Sequence, residues 1–314
     1  MARRSPPSSR PSSVAPSFGV LYAGEMGAAV GARLVAHGYE VYTSNEGRSA
    51  ATAQRARDAG LRDLGDFEAL VARVDYVLSF VTPDAAAAIG DRVASLGPAA
   101  AHATFVDLNS IGPETAGDIS ARLAESGIAF IDGSIHGQAR HLESRSRVYL
   151  SGPGAERLSA AVAGALHVVS LGEDPTAAST FKMLLASVSK TLVASFLQTG
   201  ILARSAGTLE PFLEQTRHFY PGILEAVERM APTYPTHARR RVEELGALED
   251  MLRARGLRPG ITAESRRFVQ EIANVLKLLP GDADDSLENL IESLATAGVL
   301  RAELLAGPDS DQKR

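Results

Sequence analysis

The sequence predicts an α/β Rossmann domain followed by an all-α C-terminal domain, the two joined by a long helix. Three observations predict it. Short β-type runs alternate with helical stretches from Phe18 to about residue 171; a turn with two glycines, "YAGEMG", lies between the first run and the first helical stretch; and after "LGEDP" every segment has a helical pattern. Strands alternating with helices of this length make a mostly parallel sheet covered on both faces.

Taken in order, "FGVLY" is followed by a helix at 25–37, "YEVYTS" by 49–58, "YVLSFV" by 84–95 and "ATFVDL" by 113–126. Then come "IAFIDGS", "RVYLSG" with a helix at 155–165, and "HVVSL". Asp174 and Pro175 form a good N-cap and first helical position for the long stretch "TAASTFKMLLASVSKTLVASFLQTGILARSA". Helices near 208–216, 221–230, 236–255, 262–278 and 284–305 follow, separated by Pro or Gly. The boundary falls near Gly172, giving domains at 17–172 and 173–306 between a disordered tail at 1–16 and a frayed one at 307–314.

Composition narrows the function classes. At 314 residues, 45% hydrophobic and 22% charged, the chain has a globular composition, and no uninterrupted apolar run approaches the ~18 residues that would suggest a membrane span. A net charge of −5 leaves no sequence-wide basic footprint for nucleic acid. Zero cysteines exclude disulfides and thiolate metal sites and suit a cytoplasmic protein. The Arg-, Ser- and Pro-rich opening lacks the apolar core of a secretion signal. The seven histidines show no metal-ligand spacing, so no metal is expected.

In the fingerprint G-x-G-x-x-G, Gly24 and Gly27 supply the second and third glycines, and Tyr22 occupies the first position. The strand before and the helix after give the required setting. Gly24 lets backbone N–H groups approach a pyrophosphate at the helix N-terminus, and Gly27 lets that helix lie close to the strand. Tyr22 weakens the turn signal without refuting it; an ordinary strand-to-helix turn with packing glycines is the plain alternative. About twenty residues on, "TSNEGRS" offers Glu46 for the ribose hydroxyls of NAD, or Ser44, Arg48 and Ser49, with Asn45 among them, for the 2′-phosphate of NADP. NADP is the expected cofactor, with NAD possible.

With Gly24, Glu25, Met26 and Gly27 in place, the chain resembles the β-hydroxyacid dehydrogenase superfamily, which includes 3-hydroxyisobutyrate and 6-phosphogluconate dehydrogenases. It is most similar to the uncharacterised 6-phosphogluconate dehydrogenase-like NAD(P)-binding branch, whose turn also reads Gly-Glu-Met-Gly. "VTPD", with Val81, Thr82 and Pro83, matches the loop that passes the cofactor, and "VDLNSIGPETA", with Asn109, matches the family's "VDxSTxSPxTA". "IDGSIHG" resembles the substrate motif "xDAPVSG", with Gly133, Ser134 and His136 replacing Ala, Pro and Ser. "AASTFKMLLA" resembles the start of the interdomain helix and places Lys182 on the family's catalytic lysine. Ala186 stands where the family usually has Asn, one helical turn on.

The resemblance implies a cofactor domain, a helical substrate and dimerisation domain, and a homodimer with intertwined helical domains. The activity implied is reversible hydride transfer between NAD(P) and a small hydroxy acid or related carbonyl compound. Lys182 would be the general acid/base, since its apolar neighbours Phe181, Met183, Leu184 and Leu185 imply a largely buried helix carrying one cation. His136 would orient the substrate oxygen, with a structural loop histidine as the alternative. Ser134, Gly137 and Gln138 are candidate substrate contacts. Ser189 lies on the long helix near the face of Lys182, and Arg239 or Arg240 of "HARRRVEEL" would meet a carboxylate or phosphate. Pairing of those arginines with Glu243 and Glu244 along a solvated helix is the simpler reading. Imine reduction, suggested by Ala186 and His136, and non-catalytic nucleotide binding, suggested by Tyr22, His136 and Ala186 together, are the competing functions.

Overall fold

The computed structural model describes residues 15–276 and 286–300; the expected tail at 307–314 and most of the one at 1–16 lie outside them. Among the described residues eight strands form one sheet: β1 (Phe18–Leu21), β2 (Val41–Thr43), β3 (Arg62–Asp63), β4 (Tyr76–Ser79), β5 (Thr104–Asp107), β6 (Ala129–His136), β7 (Arg147–Ser151) and β8 (Val168–Ser170). Their order is β3-β2-β1-β4-β5-β6-β7-β8, parallel throughout except between β6 and β7. The strand order reverses between β1 and β4, the place where doubly wound sheets open a crevice at their carboxyl ends.

Period-two alternation explains the two cores of this unit. Val20, Leu78, Val106 and Ile131 face one layer, with Val30 and Leu34 of α1 (Glu25–Ala36) and Leu158 and Val162 of α6 (Ala155–Val162). Leu21, Val77, Phe105 and Phe130 face the other, against α3 (Phe67–Arg73), α4 (Pro83–Ala94) and α5 (Pro113–Glu125). Between β2 and β3 lies α2 (Ala50–Asp58). The sequence pattern does not reveal β3 or α3. The strand is two exposed residues with nothing to alternate, and the helix is seven residues started by the Asp66 carboxylate, which accepts from Ala69 N at 2.6 Å.

The long helix α7 (Ala177–Ser205) is followed by α8 (Leu209–Phe219), α9 (Pro221–Met230), α10 (Tyr234–Ala254), α11 (Gly260–Leu276) and α12 (Leu287–Thr296). Parts of the expected helices at 262–278 and 284–305 lie outside the described residues. The core of the helical part gathers Leu197, Leu224, Val227, Tyr234, Leu245, Val269, Ile272 and Ile291. Gly200 admits α12 closely: a Cβ there would lie 2.6 Å from Ile291. By length and composition α7 is also apolar enough to cross a membrane, a property hidden in the sequence by the Ser and Thr that interrupt its apolar run; 22% of its most apolar window is buried.

The chain divides into compact units at Lys182 and Met183, ten residues beyond the expected boundary at Gly172. The start of α7 belongs with the sheet because buried side chains of the sheet hold it. Asp132 accepts from Ser179 N at 2.7 Å and Ser179 Oγ at 2.6 Å, Ser151 Oγ accepts from Ala178 N at 2.9 Å, and Ser134 Oγ donates to Ala178 O at 3.1 Å.

Candidate active site

The turn after β1 brings the backbone onto the first helix. Gly24 N donates to Tyr22 O at 2.8 Å, and Tyr22 N donates to Phe80 O at 3.3 Å, which ties β1 to the end of β4. A Cβ on Gly27 would stand 2.2 Å from Tyr22 O and 3.2 Å from the Phe80 ring, so only glycine fits there. Gly24 differs. Its backbone is extended (φ −64, ψ −172), and a Cβ would meet nothing within 4 Å. The protein needs no glycine at 24, and the space beside it opens into a cleft of about 690 Å³. Among the described residues no side chain caps the start of α1, which leaves its first N–H groups to meet an anion. This fits the pyrophosphate of a dinucleotide.

Around the cleft stand Tyr22, Gly24, Glu25, Met26 and Gly27 of the turn, with Val81, Thr82 and Pro83 after β4. Arg48, Asn109, Gly137 and Lys182 line it as well. Asn109 acts as a staple: its Oδ1 accepts from Val81 N at 2.6 Å, and its Nδ2 donates to Ser79 Oγ and to Asp107. Gly137 has φ +128, and a Cβ would strike Ser146. The sequence does not single out Thr52, Phe80, Ser110 and Ile135 on the wall: Ser110 and Ile135 lie inside matched motifs, but no local pattern says which residues of a motif face the cleft.

At the end nearest β2, the loop residues divide their roles. The Glu46 carboxylate accepts from Arg92 at 2.9 Å and from Phe67 N at 3.2 Å, and Glu46 is not among the residues of the cleft wall. Ser44 is buried, with Oγ donating to Gly65 O at 3.0 Å. Asn45 donates to Asp63 at 2.8 Å, and Ser49 caps α2 by accepting from Thr52 N. These three expected phosphate contacts are occupied by turn and cap bonds, which leaves Arg48 as the member of "TSNEGRS" on the wall. Its guanidinium lies 4.2 Å above the centre of the Tyr22 ring.

Lys182 sits one turn beyond the clasped residues Ala178 and Ser179, so the sheet fixes where it emerges. Two buried carboxyls, Asp107 and Asp132, lie beside each other on β5 and β6. Burial pushes both up to about 6; for Asp107 the charge on Asp132 adds to this, while bonds from Asn109 and the charge of Lys182 work against it. Each acid ends an apolar run, in "VDLN" and "IDGS", and that was the signal available for finding them.

His136 is half-buried. It packs edge-on to Tyr149, ring centres 5.3 Å apart, and 6.2 Å from Phe181. Its Nε2 has no hydrogen-bond partner among the described residues. Burial and then the Lys182 charge lower its pKa, which favours the neutral imidazole. The ring lies with Tyr149 and Phe181, while its neighbours Ile135 and Gly137 line the cleft. Ser134 is turned to the helix backbone, and Gln138 is exposed. In the second unit Ser189 donates to Ala186 O at 3.1 Å. Arg239 is exposed, and Arg240 pairs with Glu244 at 3.5 Å, as on a solvated helix face. The half-buried arginine of that run is Arg241, stacked 3.9 Å over Tyr234, which the sequence reading did not single out.

Comparison with known proteins agrees with this geometry. Residues 17–171 match the family model of the NAD binding domain of 6-phosphogluconate dehydrogenase, and residues 203–279 match a domain of unknown function. An uncharacterised 28.5 kDa protein of Methanothermus fervidus is 27% identical over 230 residues, 70% of this chain and 84% of its own. A conserved protein of unknown function, described as structurally similar to 3-hydroxyacid dehydrogenases, is 29% identical, with a TM-score of 0.68 over 83% of this chain and 98% of its own. The fold is also that of Mycobacterium tuberculosis 3-hydroxyisobutyrate dehydrogenase, at 18% identity and TM-score 0.70 over 90% and 99% of the two chains. An imine reductase from Myxococcus stipitatus, solved with NAD+, shares it at 19% identity and TM-score 0.57 over 90% and 100%.

The sheet order, the glycine turn and these matches define an NAD(P)-binding Rossmann protein with a helical second domain. Within that class, residues 17–171 match the NAD binding domain of 6-phosphogluconate dehydrogenase, and the chain has the fold of the 3-hydroxyacid dehydrogenases.

Proposed function

We propose that the protein is an NADP-dependent oxidoreductase acting on a small hydroxy acid or related carbonyl compound. The observation that carries this reading is that Lys182 lines the same cleft as the glycine turn. A bound nicotinamide would supply or accept the hydride. The chain's own part is to hold the dinucleotide along the glycine turn and the "VTP" loop, and to manage one proton. Lys182 Nζ gives that proton to the substrate oxygen on reduction and takes it back on oxidation. Burial and the charge of Lys182 keep His136 neutral, and a turn of its ring out from Tyr149 and Phe181 would bring Nε2 to the same oxygen. NADP is favoured over NAD because Glu46, the acid suited to ribose hydroxyls, is held by Arg92, while Arg48 lines the wall.

The test is NADPH- and NADP-dependent turnover against a panel of small hydroxy acids, keto acids and cyclic imines. Lys182→Ala is expected to lower kcat by about 10²–10⁴-fold and leave the cofactor Kd within about twofold. Retained kcat in that variant removes the lysine from the chemistry. Imine reduction is the second reading, supported by Ala186 and His136 in place of the family's Asn and Ser and by the reductase that shares the fold. Preference for the imines in the panel would select it. The protein is further proposed to work as a homodimer, since Leu184, Leu185, Val188 and Leu202 of α7 are exposed at 50%, 40%, 66% and 66%. Sedimentation equilibrium is expected to give twice the chain mass; a monomer at micromolar concentration contradicts it.

A further inference from the structure

We propose that Tyr22, at the first glycine position of the fingerprint, is a positioning residue for cofactor choice: its ring holds the Arg48 guanidinium flat at the wall of the cleft, ready for the 2′-phosphate of NADP. The inference rests on the reading of the cleft as an NADP site. Tyr22 is 7% exposed and fixed through its backbone, with its N–H bonded to Phe80 O and its carbonyl accepting from Gly24 N. The ring is therefore part of the turn and does not move independently of it. Arg48 is the opposite kind of residue. It is exposed, it follows Gly47 at φ +65, and its Nε donates to Glu46 O at 3.3 Å.

A long side chain in that position loses rotamer freedom when a ligand immobilises it. Stacking at 4.2 Å on a fixed ring restricts the guanidinium before any ligand arrives. It also leaves the right edge free: face contact occupies the π-surface, and the N–H groups lie in the plane, where they form paired bonds to phosphate oxygens. Among the described residues no carboxylate forms an ion pair with Arg48, because Glu46 beside it is taken by Arg92. A glycine at position 22 would keep the turn and lose the shelf. The departure from the fingerprint thus exchanges turn freedom for a preset cation, and its effect falls on the cofactor that carries a 2′-phosphate.

The experiment is calorimetric titration of NADPH and NADH into the full chain, as wild type, Tyr22→Phe, Tyr22→Met, Arg48→Lys, Arg48→Ala and the double variant Tyr22→Met/Arg48→Ala. Wild type and Tyr22→Phe are expected to prefer NADPH. Tyr22→Met should weaken NADPH about threefold to thirtyfold and NADH less than about twofold. The double variant should bind NADPH no more weakly than Arg48→Ala alone, since the ring acts through the arginine. Equal weakening of both cofactors by Tyr22→Met, or full additivity in the double variant, overturns the proposal. Arg48→Lys decides even if Tyr22→Met does not fold: it keeps the charge without the flat face and should lose NADPH affinity nearly as Arg48→Ala does, so retained preference overturns the proposal. Wild type binding NADH as tightly as NADPH, with both unchanged in Arg48→Ala, instead overturns the NADP assignment and the proposal with it.

Discussion

The sheet is joined to a helix at two corners of the cleft, and they are built in opposite ways. At the β1–α1 corner backbone meets backbone: Gly27 yields its Cβ position to Tyr22 O, no side chain among the described residues caps the helix, and the space beside Gly24 stays open. At the β6–α7 corner the space is filled. Asp132, Ser134 and Ser151 satisfy the backbone and hydroxyl of Ala178 and Ser179, and Lys182 emerges one turn later. The first corner is shaped to hold something else; the second holds itself, so that one side chain is well placed. Glycine does the first task because absence of atoms makes room, and buried polar residues do the second because unmet donors are costly there.

The largest effect should come from closing the first corner at its tightest point. Gly27→Ala forces a Cβ to within 2.2 Å of a carbonyl oxygen, so either strand end or helix must shift. The expected loss is about 3 kcal/mol or more, read as a fall in Tm or as insoluble protein. Wild-type stability in this variant breaks the contrast, because the glycine would not be holding the two backbones together.

A smaller effect tests the second corner through pH. Asp107 and Asp132 stand at about 6 in the folded chain against an ordinary 3.8, so the folded state holds more protons between those values. The stability they contribute is complete below about pH 4 and is lost as pH rises through 6. His136, lowered by burial, works in the opposite direction in part of this range, so a difference measurement is needed. The stability advantage of wild type over Asp132→Asn, from urea unfolding, should shrink as pH rises from 5 to 7.5. An advantage that grows over that range contradicts the burial of an acid in this clasp.

The two corners also differ in how much the sequence revealed. The first was legible because its function is written in glycines next to an apolar run, a local signal. So were the alternating strands and the helical second half, whose periodicities differ. The division of labour in "TSNEGRS" was not: that Glu46 turns to Arg92 depends on α4, 46 residues away, and no local pattern encodes it. The clasp around α7 was equally hidden, since Asp132 and Ser179 are 47 residues apart. His136 was found as a residue, yet its place between Tyr149 and Phe181 depends on β7 and α7 together. Arg241 was passed over in favour of Arg239 and Arg240 because helical periodicity alone does not say which of three adjacent arginines turns inward.

If the open space at Gly24 exists for a dinucleotide, NADPH titration of wild type and Gly24→Ala will show it. The backbone at 24 is extended and its Cβ position is empty, so the alanine variant should melt within about 2 °C of wild type. Its NADPH Kd should nevertheless rise at least about tenfold, because the methyl group occupies the approach to the pyrophosphate. Unchanged NADPH affinity with unchanged melting would contradict the account, and so would a wild-type chain that binds neither NADPH nor NADH.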